Sequence, residues 1–340
     1  MVRVVHVVES FLSGTFEVIR TICSRLDPAR FDVWVLHSLR EHSPADYREL
    51  FPPHVNLVRV AMRRDISPWR DAAAFAAIVR QLVRLRPEVV HTHSSKAGVL
   101  GRAAAALTGV PRVFHTPHGY AFLMDDRRRG LYRSLERCAG RVGTTIAVSR
   151  AEAEYARSVA RRVRIVPNAV DVPDLSAPEA NVVASCGRIT SARNPELVER
   201  VARAMPGERF VWIGDGEARG GLSRVEVTGW LPRAESLRRL ASAAVLLHPS
   251  KWEGMPLVVT EAMALGRPVV ASDIPAHREL IEHGRTGFLA AREIDFVSAL
   301  RELLRDPALR ARIGSNARIE ARSKFSPDEM ARRYAELYDP

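Results

Sequence analysis

Two glutamates with seven residues between them, Glu253 and Glu261, carry the most informative chemistry in this sequence. They lie in His248-Pro249-Ser250-Lys251-Trp252-Glu253-Gly254-Met255-Pro256-Leu257-Val258-Val259-Thr260-Glu261-Ala262-Met263-Ala264-Leu265-Gly266. The apolar run from Val245 to Leu247 reads as a strand that enters a loop holding Glu253 and Gly254. A helix is predicted from about Pro256, because proline has a helical φ already fixed and lacks only an N–H that the first turn does not need. Free amides at a helix start, with the positive end of the dipole, suit phosphate or sugar oxygens. Gly254 lets a ligand come close to the backbone. Glu253 stands ahead of the helix and Glu261 in its second turn, so the two carboxylates reach one site from different heights. Gly266 ends the helix.

Three other groups of residues could contribute. Gly187-Arg188-Ile189-Thr190-Ser191-Ala192-Arg193-Asn194 follows a predicted strand and opens a helix, offering two cations five positions apart. Ser13-Gly14-Thr15 follows the first strand, and His115-Thr116-Pro117-His118-Gly119-Tyr120 ends the fifth. His91 and His93 alternate on a strand and are expected to point to opposite faces, which would make them poor partners for one metal. No Asp-x-Asp triplet occurs, so neither a metal nor another cofactor is expected.

The elements that must hold these residues alternate almost throughout. Residues 2–8, 31–37, 88–92, 110–115 and 144–148 are short apolar runs of the kind buried on both faces of a parallel sheet. Amphipathic or alanine-rich stretches at 15–26, 69–86 and 97–108 separate them as helices. Near 167–180 the alternation stops in a proline-rich stretch read as a linker. It resumes with strands at 181–186, 209–213, 225–228, 244–248 and 268–271, and 293–338 reads as helical. Two doubly wound α/β domains joined by a hinge, with ligands at the carboxyl ends of their strands, are therefore predicted.

Length and composition agree. The 340 residues fit two domains, and 46% hydrophobic with 26% charged residues is ordinary for a globular chain. Three scattered cysteines (Cys23, Cys138, Cys186) exclude a disulfide framework and point to a reducing, cytoplasmic setting. No run approaches the ~18–20 apolar residues of a bilayer span. The net charge of +12 is uneven: residues 1–172 hold 27 basic against 16 acidic side chains, the remainder 24 against 23. The basic half could meet an anionic partner or the inner face of a membrane peripherally, with Arg127-Arg128-Arg129 just past the His118 loop; no nucleic acid is expected.

Glu253 and Glu261 in this setting resemble the E-x7-E signature of the retaining glycosyltransferases of the large GT4 family, and the likeness runs over roughly residues 2–339. It implies the GT-B fold: two Rossmann-like domains facing a central cleft, with a C-terminal helix crossing back to the first. The domains are then 1–167 on the acceptor side, 168–320 binding the nucleotide-sugar, and 321–340 as the returning helix, whose Phe325-Ser326-Pro327-Asp328, Met330 and Tyr334 are similar to the family's last helix. Gly187-Arg188 through Arg193-Asn194 resembles the element whose cations hold the donor diphosphate, with Arg193 where lysine is usual. Gly214, in Ile213-Gly214-Asp215-Gly216-Glu217, is similar to the family's G-x-G turn, and Trp230 and Leu231, in Val227-Thr228-Gly229-Trp230-Leu231, to the segment that reads the base. Gly14 corresponds to a loop closing on the donor phosphates, Thr15 replacing a second glycine.

His118 resembles the histidine of T-x-H-(G/D), which faces the transferred sugar, and Tyr120 and Arg127 fall on the implied acceptor side. Val148-Ser149-Arg150 and Val166-Pro167-Asn168-Ala169-Val170-Asp171 are similar to elements around the hinge, while His91 to Gly98 is similar to members that build capsules and exopolysaccharides. The implied reaction moves a hexose-type sugar, with retention, from a nucleotide-sugar (UDP by expectation) to the hydroxyl of a lipid-linked sugar or small glycoside, in polysaccharide, glycolipid or glycosylated natural-product synthesis. Glu253 would hold the sugar hydroxyls, Glu261 the ribose, and Arg188 with Arg193, aided by Gly254, Met255, Pro256 and Leu257, the leaving diphosphate. Three other readings remain: a GT-B epimerase acting without an acceptor, an inactive carbohydrate-binding protein, and an NAD-dependent oxidoreductase. The last would need a G-x-G-x-x-G after the first strand, which is missing.

Overall fold

Valine-rich strands that bury both faces need cover on both sides, and every pair of named strands in this chain is parallel. The computed structural model describes all residues except 64, 124–126, 176–179 and 340, and the side chain at 13. The later part of the proline-rich linker lies outside the described residues.

The first unit comprises Met1–Ala169 and Pro327–Pro340. Its elements are β1 (Val2–Val8), α1 (Ser13–Arg25), β2 (Phe31–His37), β3 (Asn56–Arg59), α2 (Pro68–Leu85), β4 (Val89–His93), α3 (Ser95–Leu107), β5 (Arg112–Thr116), α4 (Arg129–Ala139), β6 (Thr144–Ala147), α5 (Arg150–Arg157) and β7 (Val163–Ile165). The sheet order is β3-β2-β1-β4-β5-β6-β7. Val5 and Val7 of β1 and Val90 of β4 pack in one core with Ile78 and Leu82 of α2 and Ala104 of α3.

The second unit, Val170–Ser326, repeats the arrangement. It contains β8 (Val182–Cys186), α6 (Pro195–Ala204), β9 (Arg209–Ile213), β10 (Val225–Val227), α7 (Arg233–Ser242), β11 (Val245–His248), α8 (Leu257–Ala264), β12 (Val269–Ser272), α9 (Pro275–Arg278), β13 (Phe288–Ala290), α10 (Glu293–Arg305) and α11 (Pro307–Lys324). The order β10-β9-β8-β11-β12-β13 again reverses beside the unit's first strand. Its core joins Val183, Trp212, Val245 and Leu247 to Val198 and Val201 of α6 and Phe296, Leu300 and Leu303 of α10.

The helical stretch read over 293–338 is three helices. Prolines 307 and 327 cannot donate to a preceding turn, so each starts a new helix. Asp306 caps α11 through the Leu309 amide at 2.9 Å. The last helix, α12 (Pro327–Tyr338), belongs to the first unit, so the division falls after Ser326 and not after 320, because α11 persists to Lys324. At the other end it falls after Ala169 instead of 167. Sequence patterning missed β3, β7 and β13, strands of 4, 3 and 3 residues at sheet edges, too short to show a period. Among the described residues no helix is long and apolar enough to cross a membrane.

On α12, Met330, Tyr334 and Tyr338 are buried, and Tyr338 lies edge-on to His6 of β1 and Phe31 of β2. Replacing Tyr334, 1% exposed, by alanine should lower unfolding free energy by about 3 kcal/mol or more. Urea denaturation checks this, and a loss under about 1 kcal/mol would mean that α12 does not complete the first core.

Candidate active site

Parallel strands send all their carboxyl ends to one edge, and in the second unit that edge gathers most of the residues singled out from sequence. Gly187 and Arg188 follow β8, Gly214 follows β9, Trp230 and Leu231 follow β10, and Glu253 follows β11. Glycines let these loops touch. A Cβ on Gly214, at φ +135°, would sit 2.4 Å from the Gly187 carbonyl oxygen, and one on Gly216 2.3 Å from that of Ile189. The Ile189 amide donates to the Asp215 carbonyl at 2.9 Å, Gly214 bridges to Gly229, and the Lys251 amide donates to the Ala192 carbonyl at 2.8 Å.

The centre of the arrangement is Glu253. Arg193 Nη1 lies 2.7 Å from Glu253 Oε1 and 2.8 Å from His248 Nε2, while Oε1 and Nε2 are 3.2 Å apart. Ser250 Oγ approaches the same His248 nitrogen at 3.1 Å. Burial by itself would raise the Glu253 pKa, but the Arg193 charge, the bond with His248 and the electrostatic influence of His248 and His277 outweigh it and hold the group at about 2. His248 is pushed down to about 4, chiefly by burial. The result is a fixed carboxylate–guanidinium pair in a largely water-excluded place, where each group orients the other. Both contacts use Arg193 Nη1, and a guanidinium carries further N–H donors on Nη2 and Nε.

Arg188 is held differently. Its Nη2 and Nε lie 3.1 Å from Glu217 Oε2, and both side chains are substantially exposed, a pairing of little strength that an anion can replace. Glu261, expected to reach the same site as Glu253 from a different height, is ion-paired with Arg233 Nη1 at 2.7 Å, and Arg233 Nη2 reaches the Asp171 carbonyl at 3.3 Å. α8 starts at Leu257, one residue later than predicted, with Pro256 as its N-cap and no side-chain cap bond. Gly254, Met255 and Pro256 are buried, Leu257, Trp230 and Leu231 partly so. His248, His277 and Arg233 were not singled out from sequence; buried partners of a carboxylate have no spacing of their own to read.

In the first unit Gly14 and Thr15 already lie in the first turn of α1, not in a loop ahead of it. His118 takes a left-handed conformation (φ +52°) that few non-glycine residues adopt, and Gly119 follows at +94°. Buried Glu152 holds this turn by accepting the Gly119 amide at 2.7 Å on one oxygen and the Val148 amide at 2.8 Å on the other. Burial raises the Glu152 pKa to about 7 despite those two bonds. Tyr120, expected on the acceptor side, is instead buried against Ala156 and Val159 and stacked on Phe122, whereas Arg127 is exposed.

The opposite-face expectation for His91 and His93 is wrong. Side chains two apart on a strand share a face, and their ring centroids are 4.1 Å apart. With His6 they form a buried trio whose ligating atoms lie within 4.8 Å of one another.

Comparison with known proteins places these units in context. Residues 12–173 match the family model described as Glycosyltransferase Family 4, and residues 180–306 that described as Glycosyl transferases group 1. The UDP-Gal:alpha-D-GlcNAc-diphosphoundecaprenol alpha-1,3-galactosyltransferase of Escherichia coli is 28% identical, over 99% of this chain and 96% of that protein. Among solved structures, Anabaena Alr3699/HepE in complex with UDP and glucose superposes with a TM-score of 0.81 at 19% identity, over 99% of both chains. Sucrose-phosphate synthase from Thermosynechococcus elongatus gives 0.82 at 19% identity, over 99% of this chain and 98% of that one. Both likenesses show the two-sheet GT-B architecture.

The Glu253 geometry has a pH signature. A carboxylate held at about 2 adds stability above its unfolded pKa near 4.5, and that stability is lost as pH falls through 2. Arg193→Leu should therefore cost most above pH ~4.5, up to about 3 kcal/mol, with the difference from wild type shrinking towards pH 2. Urea titrations at a series of pH values test it; a difference that stays constant below pH 5 would mean that the pair is not what depresses Glu253.

Proposed function

The chain belongs to the GT4-type glycosyltransferases of GT-B fold, and from that premise we propose that it transfers a hexose-type sugar, with retention, from a UDP-sugar to an acceptor hydroxyl. The observation that carries this reading is the Arg193–Glu253–His248 cluster at the carboxyl edge of β8 and β11, the point where strand order reverses in the second sheet. Glu253, locked as an anion, accepts hydrogen bonds from hydroxyls of the donor sugar. Arg193, through the nitrogens it does not spend on Glu253, and Arg188, released from Glu217, neutralise the diphosphate. Glu261, oriented by Arg233, takes the ribose hydroxyls, and the turns at Gly187, Gly214 and 229–231 flank the nucleotide.

In the reaction the bond between the anomeric carbon and the diphosphate oxygen breaks and a bond to the acceptor oxygen forms on the same face. The acceptor proton passes to the departing phosphate. The two arginines stabilise the charge that develops there, so the residues present can supply the electrostatic part of the catalysis. UDP is favoured as the leaving group because an aligned relative is named for UDP-Gal and a structural neighbour is described with bound UDP. A lipid-linked acceptor is favoured by the diphosphoundecaprenol in the name of that relative. An anionic acceptor or surface also suits the exposed arginines at 127–129 and the basic first half of the sequence. Polysaccharide or glycolipid assembly at the inner face of a membrane is the setting this proposes.

Arg188→Ala should lower turnover ~10²–10³-fold, the usual loss when one donor to a developing anion is removed. Glu261→Ala should chiefly weaken UDP binding, read by calorimetric titration. Wild-type rates in the first and unchanged affinity in the second would remove the donor assignment. Proton NMR of the product linkage decides retention, and incubation with donor alone must produce no epimer.

A further inference from the structure

The function proposed above leaves unused a line of imidazoles in the first unit. Parallel register sets His6 of β1 beside His91 of β4 and Val8 beside His93, so His6, His91 and His93 share one buried face. His6 Nδ1 lies 3.0 Å from His93 Nε2, and His93 Nδ1 lies 3.1 Å from His118 Nε2. The rings lie edge to edge and nearly coplanar in the same sequence, with centroids 5.3 Å apart and planes 20° apart for His6 and His93, and 5.3 Å and 17° for His93 and His118.

Three histidines so close invite a metal ion, but their nitrogens are already committed. His91 spends Nδ1 on the Tyr338 hydroxyl and Nε2 on Thr116 Oγ1, and His93 spends both nitrogens on its neighbours. Only His6 Nε2 is buried without a partner among the nitrogens of this trio. A metal would have to displace existing hydrogen bonds and leave two positive charges in a core where the trio itself supplies no carboxylate.

A neutral imidazole has one N–H and one lone pair, so the direction of the protons along a three-ring line is all or none. Burial keeps all three neutral, with His6 lowered to about 3, His118 to about 4 and His93 well below the ordinary value. If the N–H groups point towards His118, the orphan at the buried end is a bare lone pair on His6 Nε2. If they point away, the orphan is an N–H in the core. Orphaned buried donors are the rarer and costlier case.

We infer that His6 and His93 are positioning residues that hold His118 as its Nδ1–H tautomer, so that it meets the substrate as a hydrogen-bond donor to an oxygen and not as a base. His6 Nδ1–H donates to His93 Nε2, His93 Nδ1–H donates to His118 Nε2, and His118 Nδ1–H is left for a sugar or acceptor oxygen. This rests on the reading of His118 as a substrate-facing group. It also leaves the acceptor proton to the departing phosphate, since the substrate-facing nitrogen of His118 is already protonated.

The test is nitrogen-15 NMR of the full chain labelled at histidine, which separates protonated from bare ring nitrogens. The expected result places the His118 proton on Nδ1 in the wild type. In His6→Leu, which removes the first donor, His118 should become a mixture of tautomers and kcat should fall roughly tenfold, about the worth of one hydrogen bond, with donor KM little changed. His6→Asn keeps an N–H donor at the δ position and should restore both. The inference is overturned by a His118 proton on Nε2 in the wild type, by equal effects of His6→Leu and His6→Asn, or by one metal ion per chain in elemental analysis that His6→Leu abolishes. The wild-type spectrum decides even if a variant does not fold. His118→Ala separates the two readings: unchanged transfer would remove the substrate-facing role, while the tautomer measurement still judges the relay.

Discussion

Parallel pairing is the constraint on which the rest depends. A strand that is fully buried and whose neighbours all run the same way must return by a crossover connection, in this chain most often a helix, and every crossover starts at the same edge. In both units the loops at that edge carry the residues with chemistry: Arg188, Arg193, Glu253 and their partners in one, His118 in the other. The amino edge is left to connections that merely close the crossovers. Position of the site is therefore a consequence of strand direction before it is a property of any side chain.

The second consequence is electrostatic. The site in the second unit is built from opposed charges that are paired before a ligand arrives: Arg193 with Glu253, Arg188 with Glu217, Arg233 with Glu261. Their exposure differs. Glu253 is largely buried and its pair is rigid, whereas Glu217 stands more than half in water. A buried pair fixes geometry, and an exposed pair can exchange partners at small cost. One cation is thus an anchor and the other a clamp.

Much of this was legible in the sequence, and what was not has physical reasons. Long central strands and the helices between them announce themselves by burial on both faces and by 3.6-residue periodicity. Edge strands such as β7 and β13 do not, because three residues define no period. Glu253 and Arg193 stood out through glycine, proline and charge in fixed spacing, yet His248, Arg233 and Glu152 act through contacts made only on folding. The histidines show the opposite error: the spacing was visible but its period was misapplied, and only the register of β1 against β4 brings His6 to the pair. Tyr120 stood in the right motif and yet faces inward, since the turn that exposes His118 is held closed by Glu152 just where Tyr120 begins to pack.

The first unit is assembled from two separated segments of the chain, with the second unit inserted between Ala169 and Pro327. During synthesis the inserted unit is therefore complete before the one that begins first. Until α12 emerges, after the whole of the second unit, the β1 face that carries His6 lacks the tyrosines that cover it. The histidine line can therefore mature only after the second unit has been made, and a chain that stops before Pro327 would leave the first unit unfinished.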